Sequence, residues 1–304
     1  MNGTQTLDRE PLKPIPEPPV QNPALVALGR RLFLDTKLSL DNTVSCASCH
    51  DLGHGGVDGR AHSVGVKGSI GGVNAPTVFN SGLNFVQFWD GRATTLEEQV
   101  GGPVTNPAEM NATWDAVVAK LKRDPEYPRA FAPLFADGVS ADNVRTAIAA
   151  FERTLLSRNS AFDRWLGGDQ TALNAEESAG YELFKSVGCV ACHQGANVGG
   201  NMFQRFGVFG DYFTDRGKVT SADYGRFNVT KNEADRYVFR VPSLRMVAHT
   251  APYFHDGSVP TLPQAVQVMA KYQLGRKLGD DQVGQIVAFL KSLSPQDAAT
   301  LGGG

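Results

Sequence analysis

The chain has 304 residues, of which 41% are hydrophobic and 20% are charged, and its formal net charge is -2. This length is typical of about two domains, and this composition excludes a disordered chain. The near balance of 29 basic against 31 acidic residues argues against a nucleic-acid-binding surface, so we expect no nucleic-acid partner. Apolar stretches fall short of the roughly 18 residues of a membrane helix, so we expect no transmembrane segment.

The first part of the chain, residues 1–23, is a proline-rich arm that we expect to be extended rather than packed. Its opening letters, MNGTQTLDRE, lack the apolar core of a secretory signal, so we expect the sequence of a mature chain. The glycine-rich stretch 53–82 predicts a long loop. Apolar periodicity and capping residues predict helices from Asn22-Pro23, over 115–123 and 144–158, from Asn174 into Cys189, and from Asp280.

All four cysteines belong to two C-x-x-C-H motifs, the first with Cys46, Cys49 and His50, the second with Cys189, Cys192 and His193. This pattern is typical of c-type haem, since two thiols bond the haem vinyl groups and the adjacent imidazole binds iron. A zinc site or a redox disulfide is the alternative for a lone C-x-x-C pair. With only six histidines in the chain, two chance C-x-x-C-H motifs are improbable. We predict two covalently bound haems c and, because bacteria attach them outside the cytoplasm, a periplasmic protein.

Two motifs in a chain of this length predict one domain around each haem. We expect a mainly α fold with long loops and two cytochrome c-like domains, over 24–160 and 161–304, after the arm 1–23.

The second protein ligand of each haem iron, if there is one, decides between an electron carrier and an enzyme. A carrier closes both irons with two protein ligands, whereas an enzyme leaves one iron open beside groups that move protons. Met269 shares a predicted helix face with Leu262 and Val266, which favours a core role. The residues alone do not choose between Met246 and Met269. The full set of further candidates is His54, His62, His249 and His255, with Met110, Met202, Met246 and Met269.

Two further stretches, FWDGR at 88–92 and TAPYFHDG at 250–257, together with both haem motifs, resemble the bacterial di-haem cytochrome c peroxidases. The resemblance runs from 32–33 to 286–290. It implies a peroxidatic, low-potential haem on His50 and an electron-transferring, high-potential haem on His193 and Met269, because a thioether ligand raises the potential. It also implies a homodimer, hydrogen peroxide as substrate, and a small cytochrome c or cupredoxin as electron donor.

The same resemblance assigns other residues. Trp89 matches the family tryptophan between the two haems, and Gln99 and Glu109 match the glutamine and glutamate of the distal pocket. Asn74, Thr250 and Pro252 match the positions that hold a calcium ion at the domain interface, for which oxygen ligands are suitable. His255 is expected near that interface without binding iron, and the C-terminal tail is expected to pack back on the first domain.

The sequence departs from the family at one position. Many members carry a histidine that closes the resting catalytic haem until the other haem is reduced. Alignment through 74–77 places Val66 there, and valine cannot bind iron. Either the iron is open in the oxidised enzyme, which we favour, or His62 supplies the ligand.

We therefore predict a cytochrome c peroxidase that needs little or no reductive activation. The alternatives are a non-enzymatic di-haem carrier, a peroxide or oxygen sensor, and a related di-haem enzyme that oxidises a protein side chain. Those relatives have tyrosine where this chain has Met269, and a closed carrier needs no proton-transferring Glu109.

Overall fold

The computed structural model describes residues 10–295, and over that range the predicted mainly α fold with long loops is confirmed. The helices are α1 (Pro23–Leu34), α2 (Leu96–Thr105), α3 (Trp114–Arg123), α4 (Glu126–Phe131), α5 (Ala141–Glu152), α6 (Ala161–Leu166), α7 (Ala175–Val187), α8 (Tyr212–Arg216), α9 (Phe227–Thr230), α10 (Leu262–Leu274) and α11 (Asp280–Ser292). Two short strands, β1 (Phe203–Arg205) and β2 (Val238–Arg240), pair antiparallel with Phe203 opposite Arg240.

Helix boundaries follow their caps. The Asn174 side chain accepts a hydrogen bond from the Glu177 N–H, and the Glu177 carboxylate accepts one from the Asn174 N–H. Helix α7 therefore begins where the sequence predicts. Helix α5 overlaps the predicted span 144–158, but it begins earlier because Ser140 caps its first turn, and it ends earlier because the chain leaves the helix after Glu152. None of the helices within residues 10–295 combines the length and apolar character needed to cross a bilayer.

The described chain has two large hydrophobic cores and one smaller aromatic cluster, which lies within 206–272. The first takes its buried residues from 28–155 and one more, Met246, from much further along the chain. The second takes them from 162–293, with Leu12 from the arm. A domain boundary near residue 160 stays a prediction, and Met246 and Leu12 show that the two halves exchange residues.

The proline-rich arm is extended over its described residues, as expected, but it is also packed. Leu12 is fully buried in the second core, and Lys13 and Pro11 exchange backbone hydrogen bonds with Gly195. The Tyr181 hydroxyl donates to Glu10 at 2.5 Å. The expectation of an unpacked arm is therefore wrong for this segment, because an apolar residue between prolines fills a gap in the core. Residues 296–304 lie outside the described part, and the prediction about the C-terminal tail concerns them.

The same close helix crossing occurs in both halves. Helix α1 packs on α5 at Gly29, where an added Cβ would lie 1.9 Å from the Ala147 carbonyl oxygen. Helix α7 packs on α11 at Gly180, where an added Cβ would lie 1.9 Å from the Gln285 carbonyl oxygen. Glycine is required at both crossings because backbone meets backbone there.

Gly180→Ala is expected to lower the free energy of unfolding by about 1–3 kcal/mol, since α7 and α11 must move apart to admit the methyl group. The matched control is Gly284→Ala on α11, where an added Cβ meets nothing within 4 Å. That control is expected to be neutral or to stabilise by up to about 1 kcal/mol through helix propensity. Urea unfolding of the haem-loaded protein measures both, and equal effects would contradict the close crossing.

Candidate haem sites and active site

Both C-x-x-C-H motifs fold into the same short turn, which gathers two thiols and an imidazole. The His50 N–H donates to the Cys46 carbonyl at 3.0 Å, and the His193 N–H donates to the Cys189 carbonyl at 3.0 Å. All four cysteines lie within residues 10–295, and none of them forms a disulfide. The disulfide alternative therefore has no support, and the donor set fits a covalently bound haem in each motif.

Each motif histidine is oriented by a backbone carbonyl. His50 Nδ1 lies 3.2 Å from the Gly56 oxygen, and His193 Nδ1 lies 3.2 Å from the Val198 oxygen. These bonds place the ring proton on Nδ1 and leave Nε2 as the atom available to iron. Burial lowers the pKa of both imidazoles, that of His193 to about 4, so both rings are neutral near pH 7.

Two backbone features hold these carbonyls in place. Gly56 has φ +75°, and an added Cβ would lie 2.7 Å from Thr77 Oγ1. Val198 is fully buried at φ 49°, a conformation that β-branched residues rarely adopt. The next residue, Gly199, lies so close that an added Cβ would be 3.3 Å from His193 Nδ1. The turn after each motif is thus shaped around the imidazole.

A cavity of about 440 Å³, here called the His193 cavity, opens beside the second motif. Cys189, Cys192 and His193 line it, and so does Met269 from α10. Met246, in contrast, is fully buried in the first core. The structure therefore separates the two methionines that the residues alone left open, and only Met269 shares a cavity with His193. The largely apolar wall suits a porphyrin.

Trp89 lies between the two halves. It lines the His193 cavity, and its indole Nε1 donates to the Asn74 carbonyl at 2.9 Å. Its own carbonyl accepts from the Arg240 N–H at 2.9 Å, and its ring centroid is 6.4 Å from that of His255. Trp89 is thus held through its side chain by Asn74 of the first half and through its backbone by Arg240 of the second half.

The three residues predicted for calcium also meet at this cavity. Asn74, Thr250 and Pro252 all line it. The Asn74 side-chain nitrogen donates to the Arg60 carbonyl at 2.8 Å, which leaves the side-chain oxygen as an acceptor. One amide oxygen with two backbone carbonyls is a donor set of the kind that calcium prefers, and a calcium ion at these residues stays a prediction.

His255 lies near the interface as expected, but its partner was not predicted. Its Nε2 is 2.7 Å from an Asp223 oxygen, and both side chains are buried. Asp223 and Asp256 both pair with Arg216, so a guanidinium takes the place that a metal ion would fill among these acids. Although burial opposes it, hydrogen bonds from His255 and Arg216 hold the pKa of Asp223 well below its usual range. No sequence signal paired residues so far apart.

Glu109 lies beside the first motif. It follows α2 and accepts a hydrogen bond of 2.6 Å from the Asn106 side chain. Burial raises the pKa of Glu109, against the opposing effects of Asn106 and the Arg92 charge. Burial raises the pKa of the Cys49 thiol against an opposing hydrogen bond with Ser63, and the charges of Asp58 and Glu109 add to the rise. Asn106 was not singled out from the sequence, although it stands three residues before Glu109.

Val66 lies directly against the Glu109 backbone. Its N–H donates to the Glu109 carbonyl at 2.8 Å, and its side chain is buried in the first core. Nearby, His62 Nδ1 is buried and has no hydrogen-bond partner within the described residues. Gln99 is half-buried on α2. Whether the first iron is open or bound by His62 stays a prediction.

Two haem-attachment turns on a mainly helical scaffold, one beside a half-buried carboxyl group and the other sharing a cavity with a methionine, define a di-haem c-type protein. Residues 23–171 match the family model described as di-haem cytochrome c peroxidase. The chain belongs to this family, and the resemblance predicted from its motifs is confirmed.

Two relatives and one solved structure support the assignment over most of the chain. Cytochrome c peroxidase Ccp of Escherichia coli is 50% identical over 286 residues, which cover 94% of this chain and 61% of that protein's length. Cytochrome c551 peroxidase of Nitrosomonas europaea is 48% identical, covering 94% of this chain and 84% of that protein. The crystal structure of a MauG-like protein associated with microbial copper homeostasis is 30% identical, with a TM-score of 0.82 and 95% of each chain covered.

Proposed function

We propose that this chain is a cytochrome c peroxidase that reduces hydrogen peroxide to water with electrons from a small redox protein. The observation that carries the proposal is the asymmetry between the two motifs. Glu109, with its raised pKa, lies beside the first motif, whereas Met269 shares a cavity with the second. Such an arrangement suits one site for chemistry and one for electron transfer.

The haems, when bound, supply peroxide binding and redox chemistry, and His50, His193 and Met269 would hold their irons. The chain's own contribution to the reaction H2O2 + 2 H⁺ + 2 e⁻ → 2 H2O is proton movement. The Glu109 carboxylate takes a proton from one peroxide oxygen and returns it to the other, so that water leaves rather than hydroxide. Gln99 orients the peroxide by hydrogen bonding, and Asn106 holds Glu109 in place.

Several finer assignments belong to the same proposal. Trp89 couples the two sites, which its fixed position at the His193 cavity supports. A calcium ion takes the Asn74 side chain with the carbonyls of Thr250 and Pro252. The enzyme is periplasmic, because covalent haem attachment in bacteria takes place outside the cytoplasm. It works as a homodimer, which the family resemblance implies. Its donor is a small cytochrome c or a cupredoxin.

The first iron would have no second protein ligand in the oxidised enzyme, because Val66 stands where the family histidine is expected and packs in the first core. The test is peroxide turnover with a reduced small cytochrome c, comparing fully oxidised with half-reduced enzyme. Equal rates are expected.

Turnover only after half-reduction would overturn the open iron and make His62 the releasable ligand. No turnover in either state would overturn the peroxidase proposal for this class of donor and favour a carrier or sensor. Electron paramagnetic resonance of the oxidised protein provides a second measurement, since two fully low-spin irons would contradict an open site.

A further inference from the structure

Two buried arginines line the His193 cavity, and only one of them has a carboxylate partner in the part of the chain that the structure describes. The Arg245 guanidinium, fully buried, lies 2.8 Å from an Asp163 oxygen. It also donates to the Ser160 hydroxyl and to the carbonyls of Ala196 and Lys13. Its charge and its hydrogen-bonding capacity are therefore both used within the protein.

Arg240, at the end of β2, is 3% exposed. Its Nε donates to the Phe88 carbonyl at 3.1 Å, and its Nη1 donates to the Asn84 side-chain oxygen at 3.2 Å. Both acceptors are neutral, and no carboxylate within residues 10–295 forms an ion pair with this guanidinium. Burial accordingly lowers the pKa of Arg240 to about 10, with no opposing effect. A buried charge without a counter-ion is costly, so the site is incomplete.

The residues that line the His193 cavity also carry positive charge without a matching negative charge. Among its described lining residues are three arginines, Arg205, Arg240 and Arg245, and no aspartate or glutamate. A guanidinium binds carboxylates well because its planar donors match their two oxygens. The wall is thus built for an occupant that is apolar over most of its surface and carries a carboxylate near Arg240.

We propose that Arg240 is the counter-ion of a propionate of the haem held by the second motif. The inference rests on the proposed occupancy of the His193 cavity by that haem. Arg240 also donates its backbone N–H to the Trp89 carbonyl at 2.9 Å. The residue that neutralises the propionate therefore contacts the backbone of the tryptophan proposed to couple the two sites.

The charge of Arg240 favours the ferrous state of the second haem, since it offsets the negative propionate. The experiment measures the midpoint potential of that haem by spectroelectrochemistry in the di-haem protein, for wild type, Arg240→Gln and the matched control Arg205→Gln. Both variants remove one positive charge from the cavity wall, but Arg205 is exposed to solvent. At a fixed potential, Arg240→Gln is expected to lower the ferrous-to-ferric ratio about tenfold, a shift of about 59 mV. Arg205→Gln is expected to change it much less.

Arg240→Lys separates charge from hydrogen bonding, because lysine keeps the charge and loses the bonds to Phe88 and Asn84. A midpoint potential close to that of wild type in Arg240→Lys supports the proposal. If Arg240→Gln fails to load haem, the potential of Arg240→Lys alone tests the proposal. A potential lowered as far as in Arg240→Gln, or equal shifts in Arg205→Gln and Arg240→Gln, would overturn it.

Two further measurements identify the anion bound by Arg240 and distinguish a failure of the Arg240 proposal from a failure of the proposed function. If a free anion rather than the propionate occupied the site, the wild-type potential would depend on inorganic phosphate concentration, and that result would overturn the assignment. Peroxide turnover is measured on the same samples. If the midpoint potential shifts as expected but no peroxide is turned over, the role of Arg240 is supported and the proposed function is contradicted. If turnover is normal but the potential does not shift, only the role of Arg240 is contradicted.

Discussion

Replacing Glu109 by glutamine is expected to lower the rate of peroxide reduction by about 10²–10⁴-fold while leaving the absorption spectra of both haems unchanged. Glutamine keeps the size and an acceptor oxygen for the Asn106 bond of 2.6 Å, but it cannot accept and return a proton. Steady-state turnover with a reduced small cytochrome c measures the effect. The matched control is Glu98→Gln on α2, which removes the same charge from an exposed side chain.

The pH profile gives the same residue a second readout. Glu109 acts as a carboxylate, so the rate is lost as pH falls through its pKa. Because burial raises that pKa, the loss starts at a higher pH than for an ordinary glutamate, whose pKa is about 4.3. Asn106→Ala removes a hydrogen bond that stabilises the carboxylate, so the acidic limb moves to still higher pH.

A wild-type rate in Glu109→Gln would remove Glu109 from the mechanism. An equal loss in Glu98→Gln would point to net charge rather than to proton transfer. An acidic limb that stays in Glu109→Gln would show that another group titrates there.

The chemistry-bearing residues were predictable because covalent haem attachment fixes a short sequence pattern. The two motifs place His50 and His193 by local turns alone, and the capping residues of α7 define its start. The family, and with it the mainly helical fold, could be recognised because several independent motifs recur at fixed spacing.

The sequence was least informative where distant segments meet. Met246 fills the first core from the second half, and Leu12 fills the second core from the arm. Neither contact has a periodic signal. The pairing of Asp223 with Arg216 and His255 likewise joins residues that no local pattern relates.

The helical periodicity around Met269 also favoured a core role for this residue, and the residues alone did not distinguish Met269 from Met246 as a ligand. The reason is that helical periodicity identifies the apolar face of a helix but does not show whether side chains or a cofactor cavity lie against that face. In the structure, Met269 is half-buried and faces a cavity, whereas Met246 is fully buried among side chains. Met269 as the iron ligand stays a prediction, which its position beside His193 in the cavity supports.

Met269→Ala is therefore expected to lower the potential of the second haem by on the order of 0.2 V, within the roughly 0.8 V that axial ligands span. A thioether favours ferrous iron, and water or no ligand in its place does not. Electron uptake from the donor falls with the potential, so turnover with reduced cytochrome c decreases. Spectroelectrochemistry of the haem-loaded protein measures the shift.

The matched control is Met246→Leu, a change that keeps the volume of a fully buried side chain and costs less than about 1.5 kcal/mol. It is expected to leave both potentials unchanged. If Met246→Leu lowered the potential and Met269→Ala did not, the ligand assignment would be reversed. Met269→His distinguishes lost ligation from lost packing, because imidazole restores a six-coordinate low-spin iron without restoring the high potential. A potential that recovers fully in Met269→His would mean that the shift in Met269→Ala came from packing rather than from the sulfur atom.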